Sequence, residues 1–412
     1  MKDAFIFFFQ SLINLLKEIY KFIKKKFPLK EQFKIKHIFE IAAAYILVVV
    51  SLIVLCADIP YKFNKNVNTV AVYGTVDRIG EAMVYNRVLI GAKRNGWNVI
   101  GFAIPEVLAN NQFTRHFCYA VLNLAYTIYK PKFNIHISPH TTLTPYGYNI
   151  MYLNLPNEML FDQDGGFNKI LENLEKYDAY IDVHSVTNGK NQFLKAALEK
   201  HHRYNIPIIP LYFMQNYIAY SPAKREQLLV TGTLWGCNRE SVRIRTALQR
   251  LSNEDLLIAY GLKDELGALG KAYKGRVESI KGDKNDNDKL LEIQKKYGIS
   301  LVLHTLEHML NGIPTNRIAE AITAGAIVIS DENGFIKKFF GNNILYINTL
   351  TQPDEIYNQI MLHVNWIKQN PAEVERKSKA AYDILMKDFC IEKQLLVLND
   401  FVDKNKDQKV VI

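Results

Sequence analysis

Residues 301–331 of the chain, LVLHTLEHMLNGIPTNRIAEAITAGAIVISD, decide the fold class. An apolar strand opens the stretch, an irregular polar loop follows, and Thr315 is placed to cap a helix that Gly325 ends. A second apolar strand runs to Asp331, so the stretch predicts a strand–helix–strand unit of a parallel sheet. The ligand crevice of such a unit lies beyond the carboxyl ends of its strands. The polar side chains predicted to collect there are His304, His308, Thr315, Asn316, Arg317 and Glu320.

The helix carries Arg317 and Glu320 three residues apart, and therefore on one face. Its sequence EAITAG, residues 320–325, resembles the donor-binding half of GT-B glycosyltransferases, as in bacterial family 1 and family 4 proteins. The resemblance implies two Rossmann-like domains, a nucleotide-sugar donor, and Glu320 as the ligand of the ribose hydroxyls. A further glutamate of that family, eight residues earlier, touches the sugar, and this chain has Gly312 there. The alternative is that Arg317 and Glu320 form an exposed ion pair.

A second glycine-containing loop, in the sequence QLLVTGTLWGCNRESVRIRTALQRL, opens the predicted donor domain. Gly232 permits close backbone approach after an apolar strand, and the helix that follows presents Arg239 and Arg243 on one face. In the resembled family the corresponding loop and helix bind the diphosphate, and free N–H groups at a helix start favour an anion. Lys263, after the next strand, is a further donor-binding candidate. The alternative for the two arginines is a solvated helical face.

The N-terminal half shows the same alternation of strands and helices. Apolar strands at 70–73 and 99–103 flank a helix at 82–94, which is typical of the opening of a Rossmann-like domain. The turn between the first strand and this helix carries three candidates for acceptor binding: Asp77, Arg78 and Glu81.

The sequence YIDVHS, residues 180–185, predicts a catalytic position at the carboxyl end of a later strand. His184 is the preferred general base for the acceptor hydroxyl, and Asp182 is the second candidate catalytic residue. The alternative for His184 is a hydrogen-bonded structural role, and a retaining enzyme needs no separate protein base.

The predicted fold class is α/β, with two Rossmann-like domains preceded by an N-terminal membrane-associated helical segment. The predicted limits are a basic arm and membrane helix at 1–66, an acceptor domain at 67–222, a donor domain at 223–370, and helices at 371–412 that cross back over the hinge. Residues 105–150 are predicted to hold an insertion with one helix. A chain of 412 residues with 49% hydrophobic content has room for two such cores.

Motif analysis predicts no metal site and no cofactor beyond the nucleotide-sugar as co-substrate. The four cysteines show no CxxC spacing, and no HExxH, P-loop or EF-hand pattern is present. The first strand–turn–helix, VAVYGTVDRIGEA, lacks the GxGxxG spacing of dinucleotide-dependent oxidoreductases.

The N-terminal arm carries most of the net charge of +10, because residues 1–66 hold 11 Lys against 5 Asp or Glu. Residues 5–25 predict an amphipathic helix that lies on a membrane surface. Residues 41–57, IAAAYILVVVSLIVLCA, have no charge, and as a helix they would span about 26 Å. They are interpreted as a membrane helix, so that residues 1–57 contact membrane lipids; a buried strand continuing into a core helix is the alternative.

These features predict a membrane-anchored glycosyltransferase that moves a sugar from a nucleotide-sugar donor to a membrane-associated glycan or lipid-linked acceptor. The alternative is a catalytically inactive GT-B-like module that binds a glycan or nucleotide. A nucleic-acid partner is not predicted, since the basic residues adjoin the apolar run and no RRM, KH or helix-turn-helix signature is present. The Lys-rich arm favours a cytoplasmic N-terminus, which would place the part after a membrane-spanning helix outside the cell. Bacterial sugar nucleotides, however, are cytoplasmic. A single-pass or monotopic protein with its catalytic part on the cytoplasmic face is preferred.

Overall fold

The computed structural model describes residues 57–58, 64–75, 79–104, 129–137, 147–154, 176–200, 203, 205–232, 242–261, 273–275 and 284–405. The predicted amphipathic helix and almost all of the predicted membrane helix lie outside these residues. Ala57, the last residue of the predicted membrane helix, belongs instead to a short strand. None of the helices in the described ranges combines the length and the hydropathy that crossing a membrane requires.

The first half of the chain forms a sheet of seven strands flanked by helices. Its elements are β1 (Ala57–Asp58), β2 (Thr69–Thr75), α1 (Ile79–Arg94), β3 (Asn98–Ile104), β4 (Phe133–His136), β5 (Tyr148–Leu153), β6 (Ala179–Asp182), α2 (Val183–Asn188), α3 (Gln192–Lys200) and β7 (Ile208–Ile209). The strand order is β1-β3-β2-β4-β5-β6-β7, in which β1 alone is antiparallel to its neighbour. The predicted strands at 70–73 and 99–103 and the helix between them are confirmed. Strand β4, inside the predicted insertion, and the short helix α2 were not predicted.

The second half forms a sheet of six parallel strands. Its elements are β8 (Gln227–Thr231), α4 (Val242–Asn253), β9 (Leu257–Tyr260), β10 (Tyr273–Gly275), α5 (Lys284–Tyr297), β11 (Gly298–Val302), α6 (Leu306–Asn311), α7 (Asn316–Thr323), β12 (Ile327–Asp331), α8 (Gly334–Phe340) and β13 (Leu345–Ile347). The helices α9 (Pro353–Gln369), α10 (Pro371–Asp388) and α11 (Ile391–Asn405) follow. The predicted strand–helix–strand unit at 301–331 is confirmed as β11–α7–β12, but part of the predicted irregular loop is wrong, because it contains helix α6.

The central strands β8, β11 and β12 of the second sheet are buried along almost their whole length because both faces of the sheet are covered. In β11, Ile299 and Leu301 pack into a core with helices α4 and α9, while Val302 packs into a different core on the other face. That second core also holds Val72 of β2 and Leu395 of α11. A single apolar cluster therefore joins the two halves of the molecule.

Helix α11 lies against the first half, where it packs on helix α1. Arg94 near the end of α1 bonds Glu392 at 3.0 Å, and Lys132 before β4 bonds Asp403 at 2.7 Å. The architecture is thus two Rossmann-like units with the final helix returning to the first. The exact domain limits stay a prediction.

Candidate donor site

The second sheet has the strand order β10-β9-β8-β11-β12-β13, so the direction of chain progression reverses between β8 and β11. In open α/β sheets the ligand crevice lies at this reversal, beyond the carboxyl ends of the two strands. Strand β8 ends at Thr231 and β11 ends at Val302, and Gly232 and Leu303 are the next residues. Gly232, a predicted donor-site residue, therefore lies at the expected crevice.

Arg317 bridges the two strand ends at this position. Its Nη2 donates to the carbonyl oxygen of Leu303 at 2.7 Å, and its Nη1 donates to the carbonyl oxygen of Thr231 at 3.3 Å. Its Nε donates to the hydroxyl of Thr315 at 3.2 Å. Each nitrogen uses one N–H in these bonds, so the fixed guanidinium retains donor capacity for an anion.

The neighbouring glycine makes room for this arginine. Gly232 has a φ of +88°, which favours glycine, and a Cβ at this position would lie 3.2 Å from Cδ of Arg317. Gly232 therefore permits close approach to the backbone, as predicted, and the group that approaches it is the side chain of Arg317.

His304 is hydrogen-bonded through both ring nitrogens. Its Nδ1 lies 2.7 Å from Oδ1 of Asp331, and its Nε2 accepts the backbone N–H of Thr315 at 3.1 Å. Because the Thr315 amide can only donate, the proton of the neutral ring is on Nδ1. The side chain is fully buried. In this geometry His304 positions the start of α7, and its predicted donor-binding role stays a prediction.

His308, in helix α6, has one ring nitrogen that forms no hydrogen bond with the described residues. Its Nδ1 lies 2.9 Å from the carbonyl oxygen of Ile313 and must donate to it. Burial, with smaller contributions from His304 and Arg317, lowers the pKa of His308 to about 4. The neutral ring therefore presents Nε2 as a hydrogen-bond acceptor, and a donor-pocket role stays a prediction.

Helix α7 begins as predicted, with Thr315 at the N-cap position and Asn316 first in the helix. The Thr315 hydroxyl makes no capping bond to the helix and instead accepts from Arg317. Asn316 is half-buried in the first turn.

Glu320 faces the first half of the molecule from within the same helix. Its Oε1 lies 2.8 Å from Nη2 of Arg87, and the two side chains are 2% and 1% exposed. The alternative of an exposed ion pair between Glu320 and Arg317 is therefore wrong, because Glu320 is buried and its partner belongs to α1. Its predicted contact with ribose stays a prediction.

Gly312, at the place of the family's sugar-contacting glutamate, lies against helix α2. Its φ is +61°, and a Cβ there would lie 2.7 Å from Cγ2 of Thr187. Thr187 Oγ1 also donates to the carbonyl oxygen of Gly312 at 2.7 Å. A larger residue would force the Thr187 side chain to shift, which gives a physical reason for glycine at this position.

His184 occupies the first turn of α2, close to this turn of the donor half. Asn188 Nδ2 lies 3.3 Å from His184 Nε2 and donates to the carbonyl oxygen of Asn311 at 3.2 Å. The carbonyl oxygen fixes the amide orientation, so His184 Nε2 is an acceptor in the neutral ring. His184 Nδ1 is buried and has no hydrogen-bond partner among the residues that the structure describes. Service as a general base would require the contact with Asn188 to open, and this role stays a prediction.

Asp182 is the N-cap of α2. Its Oδ2 accepts from the backbone N–H of Ser185 at 2.9 Å and from the Ser185 hydroxyl, and its Oδ1 accepts from Asn191 at 3.1 Å. These bonds hold the carboxylate in a capping role and direct neither oxygen to His184.

The remaining predicted residues are dispersed or fall outside the described part of the chain. Arg243 is the second residue of α4 and donates to the carbonyl oxygen of Leu350 at 2.7 Å, beyond β13. Glu81 is buried in the first turn of α1. The predicted residues outside the described ranges are Asp77, Arg78, Arg239 and Lys263.

Sequence reasoning missed Arg87, which contacts the candidate site from α1. Its partner Glu320 is 233 residues away along the chain. The one local signal is its place between apolar residues in VYNRVLIGA, since an arginine on an apolar helical face needs a buried partner.

Comparison with solved structures identifies the class of this fold. Sucrose-phosphate synthase from Thermosynechococcus elongatus aligns with a TM-score of 0.50 at 11% identity, covering 82% of this chain and 99% of that chain. Anabaena HepE in complex with UDP-glucose gives 0.50 at 10% identity, covering 82% and 99%. The N-terminal domain of Candida albicans trehalose-6-phosphate phosphatase gives 0.51 at 9% identity, covering 84% and 98%.

The architecture is the GT-B fold of two facing Rossmann-like units, as the sequence resemblance implied. At these identities the likeness establishes the fold alone. No protein-family model matches the sequence, and no curated protein matches it.

Proposed function

We propose that this protein is a glycosyltransferase that moves a sugar from a nucleotide-sugar to a membrane-associated glycan or lipid-linked acceptor. The observation that carries the proposal is Arg317, which is fixed across the ends of β8 and β11 by two backbone carbonyls. A cation held at the reversal point of a Rossmann-like sheet suits a diphosphate. The GT-B fold provides the facing unit for an acceptor.

The leaving group in this reaction is a nucleoside diphosphate, which gains negative charge as the glycosidic bond breaks. Arg317 and the positive end of the α7 helix dipole are suited to stabilise that charge. Glu320, one turn further along α7, is the proposed ligand of the ribose. HepE is a protein of similar fold in complex with UDP-glucose, which supports uridine as the first donor nucleotide to test.

The acceptor part of the proposal rests on the position of His184. His184 lies at the carboxyl end of β6, and Asn188 connects it to Asn311 of the donor half. His184 is proposed to accept the proton of the acceptor hydroxyl when Asn188 releases Nε2. The membrane location, with the catalytic part on the cytoplasmic face, is proposed from the uncharged run at 41–57 and the basic arm.

A second candidate function is a catalytically inactive module that binds a nucleotide or glycan. Two observations favour it: Gly312 replaces a sugar-contacting glutamate, and neither ring nitrogen of His184 is accessible as a base in this arrangement. Such a module would bind a nucleotide or nucleotide-sugar without releasing nucleoside diphosphate.

Nucleotide release separates the two candidates. Purified protein is incubated with UDP-, GDP-, CDP- and dTDP-sugars, with and without a membrane-glycan extract, and free nucleoside diphosphate is measured. The enzyme releases diphosphate from one donor class in an extract-dependent manner, and Arg317→Gln abolishes most of that release. The exposed Arg376, which pairs with Glu373, supplies the control Arg376→Gln. Binding of nucleotide without release would favour the inactive module, and absence of both would reject the proposed function.

A further inference from the structure

Four side chains of the first half form hydrogen bonds with one short segment of the second half, residues 311–320. The carbonyl oxygens of Asn311, Gly312 and Pro314 accept from side chains of the first half. Their donors are Asn188, Thr187 and Tyr212, and Glu320 adds the bond from Arg87. This segment includes the start of α7, so the first half of the molecule holds the proposed donor-binding segment in place.

Arg87 is itself held rigidly inside this interface. Its Nη1 donates to the carbonyl oxygen of Met214 at 2.9 Å, while its Nη2 donates to Oε1 of Glu320 at 2.8 Å. Asn216 Nδ2 donates to the backbone carbonyl oxygen of Arg87 at 2.8 Å. The planar guanidinium thus fixes Glu320 relative to the connecting segment 210–226.

Only one oxygen of the Glu320 carboxylate is used in this arrangement. Arg87 engages Oε1, and no side chain or amide of the described residues donates to Oε2. A carboxylate oxygen accepts readily from hydroxyl groups, and the bond is charge-assisted.

We propose that Arg87 is a positioning residue for nucleotide recognition, which holds Glu320 from the opposite domain so that Oε2 accepts from the ribose hydroxyls. The inference rests on the proposed function, since it requires a nucleotide at the donor crevice. It adds that the acceptor domain determines the affinity for ribose without touching the nucleotide. A lysine at this position would keep the charge but could not hold Met214 and Glu320 with one planar fork.

The test compares UDP with 2′-deoxy-UDP, because Arg87 is expected to affect the ribose contact selectively. Calorimetric titration of the full-length protein should give a Kd for UDP about tenfold lower than that for 2′-deoxy-UDP, as one charge-assisted hydrogen bond provides. In Arg87→Lys the preference should fall below about threefold, mainly through weaker UDP binding. Glu320→Gln should lose the preference as well.

Two further variants distinguish a selective effect on the ribose contact from a general effect on the structure. Lys338 bonds the carbonyl oxygens of Val186 and Thr187 from α8, so Lys338→Met loosens the same interface without touching Glu320. It should leave the preference for UDP unchanged. If Arg87→Lys does not fold, the double variant Arg87→Gln with Glu320→Gln removes both charges, and it should bind UDP as Glu320→Gln does.

The outcomes distinguish this inference from the proposed function. Undiminished preference for UDP in Arg87→Lys, or equal loss of affinity for both nucleotides, would overturn the positioning role while leaving the donor site intact. A double variant that binds UDP much more weakly than Glu320→Gln would also overturn it. Failure of the parent protein to bind UDP would overturn the uridine form of the proposed function, and this inference with it.

Discussion

The imidazole of His304 lies 2.7 Å from the Asp331 carboxylate; His304 follows β11, and Asp331 is the last residue of the neighbouring strand β12. The backbone N–H of His304 also donates to Asp331, at 2.6 Å. On its other side the ring accepts the N–H of Thr315. This buried pair therefore connects two strand ends with the start of α7, and fixes the position from which Arg317 extends.

Asp331→Asn is expected to destabilise the protein. The carboxylate accepts from the backbone N–H and from the ring N–H of His304, and the NH2 group of asparagine would face one of these donors with another donor. A buried polar group left without a partner costs about 1–3 kcal/mol in the free energy of unfolding. Urea denaturation followed by circular dichroism measures it. Asp403→Asn, which removes an exposed ion pair with Lys132, should cost less than about 1 kcal/mol. Equal effects of the two substitutions would contradict a structural role for the buried pair.

Gly312→Ala tests whether the contact with α2 adds to the cost of placing alanine in a left-handed backbone conformation. A left-handed alanine costs about 1–2 kcal/mol, and contact with Thr187 adds to it. Gly189 provides the matched control, since its φ is +76° and a Cβ there would meet nothing within 4 Å. Gly312→Ala should therefore reduce the free energy of unfolding more than Gly189→Ala does. If the two variants unfold at the same denaturant concentration, α2 does not restrict the residue at position 312.

Stability should fall as the pH is lowered from about 6.5 to 4, partly because of His308. Burial lowers the pKa of His308 to about 4 in the folded protein, whereas the unfolded chain has the usual value of about 6.5. The unfolded state therefore binds more protons in this window, and the free energy of unfolding rises with pH. Urea unfolding at pH 7 and pH 5 should show a smaller decrease for His308→Gln than for the parent. His136, whose pKa burial also lowers to about 4, adds to the decrease in both proteins.

Arg317 and Arg243 are expected to differ in their effect on glycosyl transfer. Arg317→Gln removes the cation at the β8–β11 reversal, and should lower turnover by about a hundredfold at saturating donor. Arg243→Ala should have the smaller effect, because Arg243 already bonds the carbonyl oxygen of Leu350, in the segment that follows the edge strand β13. Single-turnover rates at saturating donor provide the comparison. A larger loss in Arg243→Ala would support the sequence prediction that the helix after Gly232 holds the diphosphate, with Arg239 as its second cation.

Removal of residues 1–56 is expected to release the protein from membranes while leaving it folded. The truncation ends before Ala57, because β1 pairs with β3 and a cut at 58 would remove this edge strand. Carbonate-washed membranes should retain the full-length chain and lose the truncated one. Full-length protein in the soluble fraction would argue against a membrane helix at 41–57.

Local patterns predicted much of the fold. The alternation of apolar runs and helices located β2, β3, β8, β9, β11 and β12, and the glycine after α7 marked the end of that helix. These features depend on residues within a few positions of each other. The helix α6 was missed because its polar residues and the nearby Gly312 and Pro314 resemble a loop, although Thr305 accepts from His308 N–H as an N-cap.

The sequence by itself determined the two Rossmann-like units and placed Arg317 and Glu320 together on one helix, because hydrophobic periodicity and helix spacing act between neighbours. Only the tertiary structure decided the partners of these side chains. Glu320 meets Arg87 across 233 residues, and Gly312 meets Thr187 across 125. Such pairs depend on how two complete domains pack against each other, and no local pattern of the chain specifies that packing.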